Sequence, residues 1–189
     1  MDISFIFKNR HVWTFSNFLS FLRLILGIFL YFLLIDRQTL PAIFIGIIAI
    51  ISDYADGYIA RKRNEVSDLG KILDPLADKV AVGLSSIALH SAFGMPLWIV
   101  LLIIGRDILI LMGSLILMGK VEQVIQAELP GKIAVTVVAG LLLTYLFQLD
   151  FLKIYFIVLS VAAIALSFSF YFYKFVRMVH NKTVKQEKL

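Results

Sequence analysis

The chain contains no cysteine, and this absence excludes disulfide bonds, thiolate nucleophiles and cysteine-ligated metal sites. Histidine is also scarce: His11, His90 and His180 lie far apart in the sequence and do not form a metal-binding set. Only 16% of the residues are charged, whereas a soluble domain carries about 25%. Hydrophobic residues make up 60% of the 189 residues instead. This composition is unusual for a soluble domain and indicates a membrane protein.

The hydrophobic residues occur in long runs, and a bilayer-spanning helix needs roughly 20 such residues. We therefore predict an all-α membrane protein with six transmembrane helices in residues 18–176. Residues 1–17 alternate apolar and basic side chains, which predicts an amphipathic segment in the membrane interface; a disordered tail is the alternative. Residues 177–189 form a basic tail. The six spans are expected at about 18–34, 40–60, 73–92, 97–118, 131–147 and 151–176.

Lysine and arginine are distributed unevenly between the connections, which indicates an orientation in the membrane. The turns at 36–39 and 149–153 hold one basic residue each, and the turn at 91–96 holds none. The other connections and both terminal segments hold many more. We therefore expect both termini, and any functional site at these basic connections, to face the cytoplasm. We also expect the membrane to be the inner membrane of a prokaryote. The net charge of +5 then fits contact with anionic lipid headgroups and not with nucleic acid.

Four aspartates break the apolar pattern between the second and third spans. Asp53 and Asp56 lie near the end of the second span, and Asp74 and Asp78 lie near the start of the third. Spacings of three and four residues place each pair on one face of a helix. Because the connection is short, the two spans are expected to be antiparallel neighbours. The four carboxylates should therefore converge at the cytoplasmic ends of these helices.

Four carboxylates at the edge of a bilayer repel one another and lose hydration, so they need compensation and usually mark function. Divalent Mg²⁺ or Mn²⁺ is the natural compensation, because these hard cations prefer oxygen ligands. Two such ions would neutralise the site. A cation transporter is the main rival interpretation, but transporters place their acids near the middle of the bilayer.

Small residues accompany the aspartates. Gly57 and Ala60 follow the second aspartate, and Gly70 precedes the third. A missing side chain lets a ligand approach the backbone closely, although tight helix packing is the alternative for Gly57 and Ala60. Arg61 closes the cluster and either pairs with a phosphate as a bidentate fork or anchors the helix at the membrane surface.

These residues form one continuous signature, and its spacing resembles without a gap that of the CDP-alcohol phosphatidyltransferase family. Eight fixed residues within 26 positions are far more specific than a short glycine motif. Six spans with cytoplasmic termini are also similar to that family, so the resemblance covers essentially the whole chain. The signature reads Asp53-x2-Asp56-Gly57-x2-Ala60-Arg61-x8-Gly70-x3-Asp74-x3-Asp78.

The resemblance implies transfer of a phosphatidyl group from CDP-diacylglycerol to an alcohol, with release of CMP, in phospholipid biosynthesis. It implies that Asp53, Asp56 and Asp74 hold a first Mg²⁺ or Mn²⁺ ion. Asp78 would help to hold a second ion and would act as the general base. The family also implies a homodimer. The residues expected to contact the cytidine diphosphate are Asp56, Gly57, Ala60, Arg61 and Gly70.

The start of the first span is similar to the Pro-Asn-x-x-Thr-x-x-Arg entry of many family members. Ser16 stands in place of the proline and Ser20 in place of the threonine. Asn17 and Ser20 either cap the first span or take part in the substrate site. Arg23 lies one turn further on and needs an anionic or polar partner, either an acid of the pocket or a lipid phosphate.

Two basic residues are candidates for binding the acceptor. Arg106 interrupts the apolar fourth span and could bind an acceptor's phosphate. Compensation by Asp107 is the alternative, although adjacent residues on a helix do not face each other. Lys132, at the start of the fifth span, either adds a second cation for the same phosphate or serves as an interfacial lysine. We therefore expect a phosphorylated acceptor.

Arg106 and Lys132 also indicate which branch of the family this chain resembles. Two cations suit glycerol 3-phosphate, the acceptor of phosphatidylglycerophosphate synthases, and this is the acceptor that we expect. Members of that branch often carry Gly-Lys-x-Lys-Thr, whereas this chain lacks the second lysine and displaces the threonine to Thr136. The pair Arg106-Asp107 is more similar to cardiolipin synthases, which use phosphatidylglycerol, so that alternative stays open.

Overall fold

The computed structural model describes residues 15–63, 70–118 and 129–186, and within these ranges it contains helices and turns but no strand. The side chains at 15–17, 53–63, 70–72, 74, 114–118, 175 and 177–186 lie outside the description. The predicted all-α class and the predicted number of helices are confirmed. The helices are α1 (Phe15–Ile35), α2 (Thr39–Arg63), α3 (Gly70–Phe93), α4 (Leu97–Met118), α5 (Leu129–Leu146) and α6 (Asp150–Gln186).

The two terminal segments differ from their predicted bounds. Residues 15–17, the end of the predicted amphipathic segment, already belong to α1, and the rest of that segment lies outside the described residues. At the other end, α6 runs through most of the predicted basic tail to Gln186. The boundary at 177 therefore marks a change of composition and not the end of a helix.

Three helices are long and apolar enough, within the described residues, to cross a membrane: Phe18–Ile35, Leu129–Leu146 and Asp150–Lys174. By this standard of length and composition, the described residues support three of the six predicted spans. Six membrane crossings stay a prediction. The apolar part of α2 is shorter and covers Thr39–Ser52, just before the acidic motif begins. In α3, Asp78 and Lys79 stand within the apolar stretch. Charged groups thus occupy positions in these two helices that would otherwise be apolar.

In the first compact unit, Met1–Val100, α1 packs against both α2 and α3. Its buried residues recur at helical spacing and include Ser20, Arg23, Gly27 and Leu34. The opposite face carries exposed phenylalanine and isoleucine side chains. A polar buried face with an apolar outer face is the reverse of a soluble helix, and it fits a helix that meets lipid on its outside.

Helices α1 and α5 end in the same way. The N–H of Gln38 donates to the carbonyl of Leu33, and the N–H of Leu149 donates to the carbonyl of Thr144. The residue before each of these donors has a positive φ, 55° at Arg37 and 52° at Gln148. Both turns are Schellman motifs, which satisfy the last carbonyls of a helix and allow the chain to reverse at once.

In the second compact unit, Leu101–Leu189, α5 and α6 form an antiparallel hairpin. Two glycines of α5 face aromatic rings of α6: Gly131 lies against Tyr171, and Gly140 lies against Phe156. The absence of a β-carbon at these two positions allows the rings to approach the α5 backbone closely. The hairpin therefore depends on small residues, as helix pairs in membranes commonly do.

Candidate active site

A buried arginine of α1 contacts the last aspartate of the signature. Arg23 Nη1 lies 2.7 Å from Asp78 Oδ1, and the two side chains are 5% and 54% exposed. One turn further along α1, a β-carbon on Gly27 would lie 3.2 Å from the Cα of Ala81. Close packing of α1 on α3 therefore fixes the two backbones that carry the ion pair. Of the two expected partners for Arg23, the structure provides an acid of the pocket.

Ser20 is fully buried, one turn before Arg23 on the same face of α1. Because α1 begins at Phe15, Ser20 lies too far inside the helix to act as its N-terminal cap, so that alternative is wrong. Asn17 belongs to the first turn of α1, and its side chain lies outside the described residues. A substrate role for either residue stays a prediction.

The rest of the signature lies at two helix ends that face the same connection. Asp53, Asp56, Gly57, Ala60 and Arg61 belong to the last part of α2, whereas Gly70 and Asp74 open α3. Because α2 and α3 both pack against α1, they belong to one compact unit. The side chains of the first three aspartates, and of Arg61, lie outside the described residues.

The convergence of the four carboxylates therefore stays a prediction. Among the described side chains, no group of three or more potential metal ligands occurs. Asp78 is the signature aspartate with a described side chain, and its carboxylate is accessible on one side and held by Arg23 on the other. A carboxylate in this state can bind a cation or accept a proton from a bound hydroxyl.

Arg106 is buried in the second unit and contacts two polar side chains. Nη1 donates to Asp107 Oδ1 at 2.6 Å, and Nη2 donates to Ser167 Oγ at 3.0 Å. These two adjacent helical residues contact each other, contrary to expectation, because the long arginine side chain reaches back to its neighbour. Internal compensation by Asp107 is therefore present. Binding of an acceptor by Arg106 stays a prediction.

Lys132 is exposed at the start of α5, where it was expected. Its carbonyl accepts a hydrogen bond from Thr136 Oγ1 at 3.0 Å. The residue before it, Gly131, is buried against Tyr171 of α6. Ser167 and Tyr171 were not predictable from the sequence, because both lie in an aromatic stretch of α6 whose pattern indicates only lipid contact or packing.

These features define a class: an all-helical protein with apolar outer faces and an acidic site that holds a buried arginine. The family model described as CDP-alcohol phosphatidyltransferase matches residues 13–171. The chain therefore belongs to the CDP-alcohol phosphatidyltransferase family, which confirms the resemblance seen in the signature. Together with the apolar helices, this membership identifies an integral membrane protein.

The curated relatives come from two branches of the family. CDP-diacylglycerol–glycerol-3-phosphate 3-phosphatidyltransferase of Bacillus subtilis is 45% identical over 87 residues, 46% of this chain and 45% of the relative. The Aquifex aeolicus protein of the same name is 35% identical over 106 residues, 55% of this chain and 60% of the relative.

The second branch is represented by cardiolipin synthase (CMP-forming) of Rattus norvegicus. It is 37% identical over 100 residues, 52% of this chain and 33% of the relative. The chain thus spans less than two thirds of the length of each of these three relatives. No solved structure matches this chain.

Proposed function

We propose that this chain transfers a phosphatidyl group from CDP-diacylglycerol to glycerol 3-phosphate and releases CMP, as a phosphatidylglycerophosphate synthase of phospholipid biosynthesis. The observation that carries the proposal is the accessible carboxylate of Asp78, which ends the complete family signature and is held by buried Arg23. The relatives from Bacillus subtilis and Aquifex aeolicus bear the name of this activity.

The reaction needs one bond to form and one to break. The acceptor's hydroxyl oxygen attacks the phosphorus that carries diacylglycerol, and the bond between that phosphorus and the CMP oxygen breaks. CMP leaves with the electron pair of the broken bond. Asp78 accepts the proton of the attacking hydroxyl as general base. No side chain forms a covalent intermediate in this scheme.

The donor set suits a divalent cation, because the four candidate ligands are carboxylates and the described one, Asp78, is accessible. Asp53, Asp56 and Asp74 would hold a first Mg²⁺ or Mn²⁺, and Asp78 would help to hold a second. When bound, such ions supply positive charge that neutralises a diphosphate.

The other signature residues would bind the nucleotide. The small residues Gly57, Ala60 and Gly70 let cytidine diphosphate approach the backbone closely. Asp56 also contacts the nucleotide, and Arg61 pairs with a phosphate oxygen. Arg23 acts on Asp78 instead: it orients the carboxylate and compensates its charge.

The acceptor is proposed from two cations of the second unit. Arg106 and Lys132 together suit a small molecule with a phosphate group. The competing acceptor is phosphatidylglycerol, because cardiolipin synthases are also among the relatives and the pair Arg106-Asp107 resembles theirs.

Membrane lipids surround the protein, and no nucleic acid takes part. We further propose a homodimer in the inner membrane of a prokaryote, with six spans and both termini in the cytoplasm.

The test uses the purified full chain in detergent–lipid micelles with CDP-diacylglycerol, Mg²⁺ and one acceptor at a time. Release of CMP should follow the addition of glycerol 3-phosphate and should stop when EDTA removes the metal. Mn²⁺ or Mg²⁺ should restore it. Turnover with phosphatidylglycerol alone would refute the proposed acceptor, and CMP release unaffected by EDTA would refute metal dependence. A cation transporter would release no CMP under any of these conditions.

A further inference from the structure

The guanidinium of Arg106 has a donor that the protein does not use. Arg106 is 9% exposed, and among the described residues its Nε has no hydrogen-bond partner. The two terminal nitrogens are occupied by Asp107 and Ser167. A buried donor without an acceptor is unfavourable, so Nε marks a position where an oxygen-bearing ligand would be stabilised. A guanidinium is also the group that best matches phosphate oxygens.

Ser167 determines how this guanidinium is oriented. Its side chain is fully buried on α6, and its hydroxyl oxygen accepts a hydrogen bond from Arg106 Nη2. Asp107 holds the other terminal nitrogen, so the plane of the guanidinium is constrained from both sides. The direction in which Nε points is then set by contacts from two helices, α4 and α6.

The same face of α6 also contacts the residue that precedes Lys132, the second acceptor candidate. Tyr171 lies one helical turn after Ser167 and contacts Gly131, the residue before Lys132. One turn of an α-helix advances about 5.4 Å along its axis. Neighbouring turns of α6 therefore contact Arg106 of α4 and the start of α5, the helix that carries Lys132.

We propose that Ser167 is a positioning residue for the acceptor's phosphate: it holds Arg106 so that Nε donates to a phosphate oxygen. The inference rests on the proposed transfer to a phosphate-bearing acceptor. The recognised group is a phosphate monoester in glycerol 3-phosphate or a phosphodiester in phosphatidylglycerol. Ser167 touches neither the donor nor the reacting atoms, so it is not a catalytic residue.

The chain offers a matched control on the same helix. Ser160 is also buried on α6, two turns earlier, but its hydroxyl has no hydrogen-bond partner among the described residues. Ser160→Ala and Ser167→Ala therefore remove the same atom from similar surroundings, and only the second removes a contact with Arg106. Ser167→Thr retains the hydroxyl and is expected to restore much of the lost function.

Kinetics of the purified full chain test the inference with each acceptor in turn. Ser167→Ala should raise KM for the phosphate-bearing acceptor about tenfold. The reason is that Arg106 loses the hydrogen bond to Ser167 that holds its guanidinium in the binding orientation. KM for CDP-diacylglycerol should stay unchanged, and Ser160→Ala should behave as wild type. A wild-type KM in Ser167→Ala would overturn the inference. The inference would also be overturned if Ser167→Ala raised KM equally for both substrates and lowered thermal stability, and if Ser167→Thr failed to restore KM.

Binding of inorganic phosphate separates this inference from the proposed function. Calorimetric titration in EDTA, without CDP-diacylglycerol, should show about tenfold weaker binding in Ser167→Ala than in Ser160→Ala. Equal affinities would overturn the inference even if glycerol 3-phosphate is the acceptor. The protein could also bind phosphate in a Ser167-dependent way and yet fail to turn over glycerol 3-phosphate. That result would support the inference and refute glycerol 3-phosphate as the acceptor.

Discussion

Arg23 is a charged side chain inside an apolar helix, and at the residue scale its contact with Asp78 explains why the position tolerates a charge. The arginine is almost completely buried, whereas the carboxylate is accessible. Arg23 can therefore orient Asp78 without blocking its approach to a ligand. Residues that hold a metal ligand or base in place commonly affect activity about 10- to 100-fold.

Substitutions at the two positions should be non-additive. Asp78→Asn should lower kcat roughly 10²- to 10⁴-fold, as expected for loss of a general base. Arg23→Gln should lower kcat about 10- to 100-fold and change KM for CDP-diacylglycerol little. Because Arg23 acts through Asp78, the double variant should be no slower than Asp78→Asn alone. Multiplied effects in the double variant would show that Arg23 acts elsewhere.

Gly131 supports a second residue-scale prediction. A β-carbon on Gly131 would lie 2.5 Å from Tyr171 Oη and 3.2 Å from the nearest ring carbons. Gly131→Ala should therefore destabilise the protein by about 1–3 kcal/mol, the usual range for overpacking. The loss should be smaller in the Tyr171→Phe background, where the closest atom is absent. The measurement is the temperature of half-denaturation in detergent.

Gly113 provides the control for this experiment. A β-carbon at Gly113 would meet nothing within 4 Å, so Gly113→Ala should be neutral or stabilising by up to about 1 kcal/mol. Equal destabilisation by the two substitutions would contradict the role assigned to Tyr171.

At the scale of elements, the turns after α1 and α5 hold a non-glycine residue in the left-handed region. Gln148 is exposed and has a φ of 52°. Gln148→Gly should raise the free energy of unfolding by about 1 kcal/mol, because left-handed backbone is unfavourable for a residue with a β-carbon. Thermal denaturation in detergent measures the change.

Arg37 is the matched position in the other turn. Its φ is 55°, but its guanidinium also lies 5.9 Å from the centre of the Phe93 ring. Arg37→Gly should therefore stabilise less than Gln148→Gly, since it also removes a cation–π contact. A larger gain at Arg37 would contradict this explanation.

The helices themselves were predictable from hydrophobic runs, within a few residues at most ends. The sequence already showed that charged residues interrupt the apolar parts of the second and third spans. The runs did not reveal how far α2 extends beyond its apolar part, Thr39–Ser52. Nor did composition show that α6 continues past its apolar part, because a basic stretch can be helical or irregular. Helix existence follows from local pattern, whereas helix ends depend on neighbours and caps.

At the scale of the whole molecule, the absence of cysteine makes topology directly measurable. Single cysteines introduced as Gln38→Cys, Ser91→Cys and Gln148→Cys should react with a membrane-impermeant maleimide in intact cells. Lys182→Cys should react only after the membrane is opened. This result follows from six spans with cytoplasmic termini, since the three turns would then share the outer side. The six-span topology would be refuted if a cysteine in any of the three turns reacted only after the membrane had been opened.

The sequence by itself determined the class of the protein, its helices and the acidic signature. Composition and hydrophobic runs reflect the bilayer as solvent. The acidic signature is readable because its eight residues lie within 26 positions of the sequence. The family match bears out this part. The role of each aspartate stays a prediction.

Only the tertiary structure decided which polar side chains meet. Arg23 and Asp78 are 55 residues apart in sequence, and Arg106 and Ser167 are 61 apart. Helical periodicity identifies the buried face of α1 but not the residue of α3 that lies opposite, because that depends on where Gly27 lets the helices approach. The role of Ser167 was likewise not predictable from its aromatic surroundings in the sequence, since it depends on the contact with Arg106 of another helix.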